Sequence, residues 1–148
     1  MTSIVWDGKS LAGDGRLTVN GYIVDSYFSK VRKINANLRG ERVIAIGLSG
    51  DADAHHYIES WIKNDCLDDL PDCMEIGGII VTESKAYSFC DDSNGRLCLI
   101  NDSFAVGSGA PLCLSALKLG LNAKEAVKHA ASIDVYTGGR VRSICCRE

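Results

Sequence analysis

Proline is almost absent from this chain: Pro71 and Pro111 are the only two in 148 residues. Turns must therefore come from its 15 glycines and from Asn and Asp. Long apolar runs are missing as well. None approaches the roughly 18 residues of a membrane span, which excludes a helical anchor. Neither sign of charge prevails, since 16 Lys and Arg stand against 19 Asp and Glu for a net charge of −3. That balance supplies no basic footprint for nucleic acid and no basic face for a membrane. The N-terminus has no basic leader followed by an apolar stretch, so the expected location is the cytoplasm.

Other absences remove whole chemistries. The seven cysteines (Cys66, Cys73, Cys90, Cys98, Cys113, Cys145 and Cys146) contain no Cys-x-x-Cys pair. Their odd number and the expected compartment read as reduced thiols, not as a zinc site or a disulfide framework. Gly107-Ser108-Gly109 precedes a helical pattern, but position 112 is Leu112, so the dinucleotide fingerprint is incomplete. Val106 stands where a hydrolase nucleophile elbow needs glycine. His55, His56 and His129 do not share a helix face and read as solvent-facing. The scattered acids Asp51, Asp53, Asp65, Asp68, Asp69 and Asp72 lack the spacing of a calcium loop.

What is present is a series of short strand patterns. Ser3–Trp6 and Lys9–Gly13 flank Asp7-Gly8, and Leu17–Val19 and Tyr22–Val24 flank Asn20-Gly21, a strong hairpin signal. Val31–Ile34 is a further short strand, and Arg42–Ser49 is a nearly continuous apolar run, as in a strand buried on both faces. Ala54, Tyr57, Ile58, Trp61 and Ile62 then recur at helical spacing up to about Asn64. A loop over Asp65–Glu75 leads to strands at Gly77–Thr82, Ala86–Cys90, Arg96–Ile100 and Phe104–Val106, with Asp91–Gly95 as a turn. A helix from about Leu112 to Leu119 follows. A second begins after Asn122, where Glu125 completes a capping box, and a last strand covers Val141–Cys145. Strands cluster instead of alternating with helices, which predicts an α+β class in one domain, 1–148.

One combination is more specific than its parts. The N-terminal Thr-Ser-Ile-Val, Ala12-Gly13-Asp14-Gly15, Lys30-Val31-Arg32-Lys33-Ile34, Gly47-Leu48-Ser49-Gly50 with Ala52-Asp53-Ala54, Ala105–Gly109, and Asp134–Gly139 occur in that order and span nearly the whole chain. As a set they resemble the threonine peptidases of the proteasome β-subunit and bacterial HslV family, in a short HslV-like form. The resemblance implies a four-layer αββα sandwich of the N-terminal nucleophile hydrolase type. It makes Thr2 the nucleophile once Met1 is removed, because an N-terminal threonine carries its own base, the α-amine. It implies catalytic roles for Asp14, Lys30, Ser108, Asp134 and Thr137, and an oxyanion-binding amide at Gly47, with Ile46 as the alternative register. No cofactor is required. Carbonyls of Ala131, Asp134 and Thr137 are expected to hold a structural cation such as Na. Implied partners are copies of the same chain in two stacked rings, a hexameric ATPase unfoldase and unfolded polypeptide substrate, with no nucleic acid and no membrane. The alternatives are a non-catalytic ring or scaffold subunit, and an N-terminal nucleophile amidase acting on a small molecule.

Overall fold

The computed structural model describes residues 2–68, 70, 75–90 and 96–147. Two antiparallel sheets organise them. The first contains β1 (Ile4–Trp6), β2 (Ser10–Gly13), β11 (Phe104–Val106) and β12 (Arg142–Cys145), in the order β11-β1-β2-β12. The second has the order β10-β9-β8-β7-β5, with β5 (Val31–Arg32), β7 (Glu41–Gly50), β8 (Ile76–Thr82), β9 (Ala86–Cys90) and β10 (Cys98–Leu99). A short β6 (Asn37–Leu38) also pairs with β7, and β3 (Leu17–Val19) and β4 (Tyr22–Asp25) form a separate hairpin. The helices are α1 (His55–Lys63), α2 (Ala110–Lys118) and α3 (Ala123–Ala131), and a 3₁₀ turn at Ala52–Ala54 leads into α1. Among the described residues, no helix is long and apolar enough to cross a membrane.

Period-2 alternation explains how the layers meet. In β1, Ile4 and Trp6 face one side and Val5 the other. Ile4 and Trp6 join Leu11, Val31, Ala45, Ile79 and Val81 in a core shared by the two sheets. Val5 joins Ala12, Ala105 and the small residues of α2 and α3. In β8, Ile80 turns from its neighbours Ile79 and Val81 toward Ile58, Trp61 and Ile62 of α1. Ala123, Ala126, Val127 and Ala130 make the buried stripe of α3, and their small side chains let the helix lie close to β2.

Glycines make room for the first strand. A Cβ on Gly13 would lie 2.8 Å from Ile4 Cδ1, and one on Gly47 would lie 2.6 Å from Ile4 Cγ2. Ile4 is thus seated between two backbones, which fixes the residues just before it. The Asp7-Gly8 turn is fixed at both ends. Asp7 Oδ1 accepts the amides of Lys9 and Ser10, and its Oδ2 accepts the amide of Ala123 at the start of α3.

Most elements fall where the residue pattern puts them. Asn20 and Gly21 both adopt positive φ, 50° and 81°, as a two-residue hairpin turn requires. Asn122 accepts the Glu125 amide at 2.9 Å and Glu125 accepts the Asn122 amide at 3.0 Å, completing the capping box. Helix α2 begins earlier than expected, at Ala110, with Pro111 in its first turn, where a missing amide costs nothing. Strand β5 stops at Arg32, and the chain turns to form the unforeseen β6. The Asp91–Gly95 turn, Cys73, most of Asp69–Met74 and Met1 lie outside the described residues. Tyr57 is exposed and stacks on His56, so it does not belong to the buried stripe of α1.

Removing the cap and removing the wedge test these assignments separately. Asn122→Ala is expected to cost about 1 kcal/mol, and Ile4→Ala about 2–5 kcal/mol, both read from urea denaturation.

Candidate active site

Thr2 is buried, at 2 % exposure, in the floor of a cleft of about 940 Å³. Its hydroxyl donates to Asp14 Oδ1 at 3.3 Å, and Lys30 Nζ donates to its Oγ1. Lys30 Nζ also pairs with Asp14 Oδ1 at 2.9 Å. Three residues that lie far apart in sequence therefore meet at one hydroxyl.

The carboxylate of Asp14 is buried and fully engaged. Beyond Thr2 and Lys30, its Oδ1 accepts the Ser3 amide at 3.2 Å. Its Oδ2 accepts the amides of Gly138 at 3.0 Å and Arg16 at 3.4 Å. The flanking glycines explain how the backbone is gripped here. A Cβ on Gly15 would come within 2.6 Å of the Arg140 carbonyl and 2.8 Å of the Ser26 carbonyl. Burial is the main influence on Lys30 and pushes its pKa below the usual lysine value, while Asp14 pulls it back up by charge and hydrogen bond.

A second network stands beside the first. Ser108 Oγ and Thr137 Oγ1 each donate to Asp134 Oδ2 at 2.7 Å. Because the Thr137 proton is committed to Asp134, the 2.8 Å contact between Ser3 and Thr137 runs with Ser3 donating. Burial works to raise the Asp134 pKa, but the hydrogen bonds from Thr137, Ser108 and the Tyr136 amide hold it below the ordinary carboxylate value. The two networks meet through Ser3, the neighbour of Thr2.

Gly107-Ser108-Gly109 closes over the backbone of Thr2. Gly107 has φ +100°, and a Cβ there would lie 2.0 Å from the Thr2 carbonyl oxygen. The Gly109 amide donates to that same oxygen at 3.2 Å, and a Cβ on Gly109 would meet Ser3 Oγ at 1.9 Å. The absence of side chains at 107 and 109 is thus a packing requirement, independent of any phosphate.

Neither a family model nor a curated protein matches this sequence. Solved structures do. The crystal structure of eukaryotic HslV from Trypanosoma brucei superposes with a TM-score of 0.76 at 17% identity, covering 97% of each chain. BPH from Thiobacillus denitrificans matches at TM-score 0.62 and 16% identity, over 97% of this chain and 95% of that one. The same protein in complex with epoxomicin matches at TM-score 0.61 and 15% identity, over 97% and 96%. The chain has the HslV fold.

Within that HslV fold the expected residues are distributed unevenly. Thr2, Asp14 and Lys30 touch one another, and Ser108, Asp134 and Thr137 form the adjoining network. Gly47 does not line the cleft; it lies beneath, paired with Val31 on one side and Ile79 on the other. Ile46 is buried against α1 and does not line the cleft either. The cleft-lining part of β7 is Leu48, Ser49 and Gly50, and the Leu48 amide is already bonded to the Lys30 carbonyl at 2.9 Å. Among the three carbonyls suggested for a cation, that of Asp134 accepts the Thr137 amide at 3.1 Å. No group of three His, Cys, Asp or Glu side chains suited to a metal occurs among the described residues.

Three contributors escaped the sequence reading. Ser3 links the two networks. Arg16 donates to the Val135 carbonyl at 2.7 Å and lies across Gly138, where a Cβ would come 2.4 Å from the guanidinium carbon. His55, read as solvent-facing, is 6 % exposed and meets Phe28 edge-on with ring centres 5.3 Å apart. The signal for His55 was its spacing from Ile58 and Ile62, which sets it on the buried stripe of α1.

Asp14→Asn removes the charge that supports the Lys30 ammonium. The Lys30 pKa is expected to fall further, read from its side-chain 13C titration. Gly107→Ala should displace Thr2 and lower any Thr2-dependent rate by about 10²-fold.

Proposed function

We propose that this protein is a threonine-type endopeptidase whose nucleophile is Thr2 Oγ1. The observation that carries this reading is the convergence of Lys30 and Asp14 on that hydroxyl at the floor of an open cleft. The HslV-like fold supports it, as does the epoxomicin complex of one similar structure.

A threonine hydroxyl is a weak nucleophile and needs a base beside it. The reading requires removal of Met1, which leaves Thr2 with a free α-amine. That amine titrates at about 7.7–8.0 when unperturbed. A neighbouring ammonium favours the neutral form of such an amine by like-charge repulsion, and Lys30, bonded to Thr2 Oγ1, is the residue placed to supply it. The amine takes the Oγ1 proton as Oγ1 attacks the substrate carbonyl. It then gives the proton to the departing amine, leaving an ester on Thr2. Water attacks the ester, the same amine again serves as base, and the acid is released. Lys30 stays protonated throughout and favours the negative charge on Oγ1. Asp14 holds Lys30 in place, and Ser108, Asp134, Thr137 and Ser3 orient the terminus.

The oxyanion needs a preorganised backbone donor. With Gly47 beneath the cleft and the Leu48 amide committed, the open end of β7 at Ser49–Gly50 is the segment offered to it. We also propose the four-layer αββα order, from the three apolar seams that separate α1, the two sheets and the α2–α3 pair. Assembly into stacked rings in the cytoplasm, with a hexameric ATPase feeding unfolded polypeptide, follows the HslV likeness. The catalytic scheme uses no cation, although the Ala131–Thr137 turn remains the place for a structural one.

Intact mass is expected to show loss of Met1, and Thr2→Ala should lose peptidase activity by at least about 10³-fold. The pH profile carries a second test. Activity rises as the amine loses its proton and falls as Lys30 loses its own. Because the Lys30 pKa is lowered, the alkaline fall should lie below 10.5. Lys30→Arg keeps its charge across this range and should remove that limb from kcat/KM.

A further inference from the structure

His55 stands in the cleft wall and takes no part in the scheme above. It opens α1, directly after the Ala52–Ala54 turn, and its ring is wedged against Phe28. The same four residues, Phe28, Ala52, Asp53 and His55, border both the Thr2 cleft and an adjoining depression that reaches Arg32 and Glu59. They form a side recess on the α1 flank of Thr2 and Lys30.

The imidazole is nearly buried yet has no hydrogen-bond partner among the described residues. Its nitrogens are not sealed off either, because among the described residues only Arg16 Nε is a buried, unpartnered side-chain atom. The small exposed part of His55 thus includes the polar edge of its ring, and the residue borders both the cleft and the adjoining depression. Burial, with help from Arg32 and Lys30, pushes its pKa down to about 4, so the ring is neutral at working pH. A neutral imidazole presents one donor and one acceptor.

The surroundings restrict what it can meet. A cationic side chain in the recess would approach the Lys30 ammonium and the Arg32 guanidinium, although Glu59 pairs the latter at 2.8 Å. An anionic one would face the carboxylates of Asp51 and Asp53 on the same wall. An aliphatic one would strip water from the imidazole edge and give nothing back. A carboxamide carries both a donor and an acceptor and no charge, which matches the edge on offer.

We infer that His55 is a specificity-determining residue: its ring hydrogen-bonds the carboxamide of a glutamine or asparagine side chain on the residue whose carbonyl Thr2 attacks. This rests on the peptidase reading above and adds the substrate class to it.

Matched fluorogenic peptides differing only at the residue before the cut test it, with Gln, Met, Glu and Lys in that position. Met has nearly the length of Gln and lacks the amide. Wild-type kcat/KM should favour Gln over Met by about tenfold, the worth of one such hydrogen bond, with Glu and Lys below both. His55→Leu should bring the Gln/Met ratio to about one, and His55→Asn should restore part of it. A ratio unchanged in His55→Leu, or a wild type that prefers Met, overturns the inference. If the wild type cleaves none of these peptides, the peptidase reading fails on its own account. Binding of the Gln and Met peptides, read from the His55 ring 15N resonances, then decides the remaining question. Shifts with Gln alone support the recess. Equal shifts, or none, refute it.

Discussion

A buried carboxylate is tolerated only where donors converge on it, and five converge on Asp14. They come from Thr2, Ser3, Arg16, Lys30 and Gly138, and so from four separate stretches of chain. The position of Thr2 Oγ1 follows from this arrangement, because both of its polar contacts are members of the Asp14 cluster. Removing the carboxylate would take the counter-charge of Asp14 from the buried Lys30 ammonium, which is why the pair works as one unit. The glycines on either side serve the same end. Gly13 leaves space for Ile4, and Gly15 passes between the Ser26 and Arg140 carbonyls.

The scaffold delivers those stretches by simple means. Strand β1 lies in the middle of its sheet, between β2 and β11, and Ile4 is clamped by the opposing backbones of Gly13 and Gly47. The residue two places before that wedge has little freedom. Gly107 and Gly109 then close over its carbonyl, and the Asp134–Gly138 turn supplies both a hydroxyl network and the Gly138 amide. The order of the chain thus brings a hairpin, a strand start, a glycine loop and a turn after a helix to one point.

Much of this was legible in the residues. Alternation in Ile4-Val5-Trp6, the Asn20-Gly21 turn and the Asn122–Glu125 box each encode local structure through one short-range rule. The meeting of Thr2, Asp14 and Lys30 was legible only through resemblance, since no spacing rule brings residues 2, 14 and 30 together. What stayed hidden has physical causes. Strand β6 is two residues long and depends on the Arg39-Gly40 turn, where both residues have positive φ. Gly47 looked like an oxyanion donor because it is a glycine in the right motif, but here its missing side chain makes room for Ile4. His55 looked polar because of His56 beside it, although its helical phase is that of Ile58 and Ile62.

If Thr2 Oγ1 is the reactive atom of the cleft, an electrophile that bonds to N-terminal nucleophiles must mark it. Purified protein is treated with a peptide epoxyketone, digested, and its N-terminal peptide mapped by tandem mass spectrometry. A single adduct is expected, on Thr2 of a chain that has lost Met1, absent from Thr2→Ala and much slower to form in Lys30→Ala. An unmodified N-terminal peptide that retains Met1, or an adduct on any other residue, contradicts it.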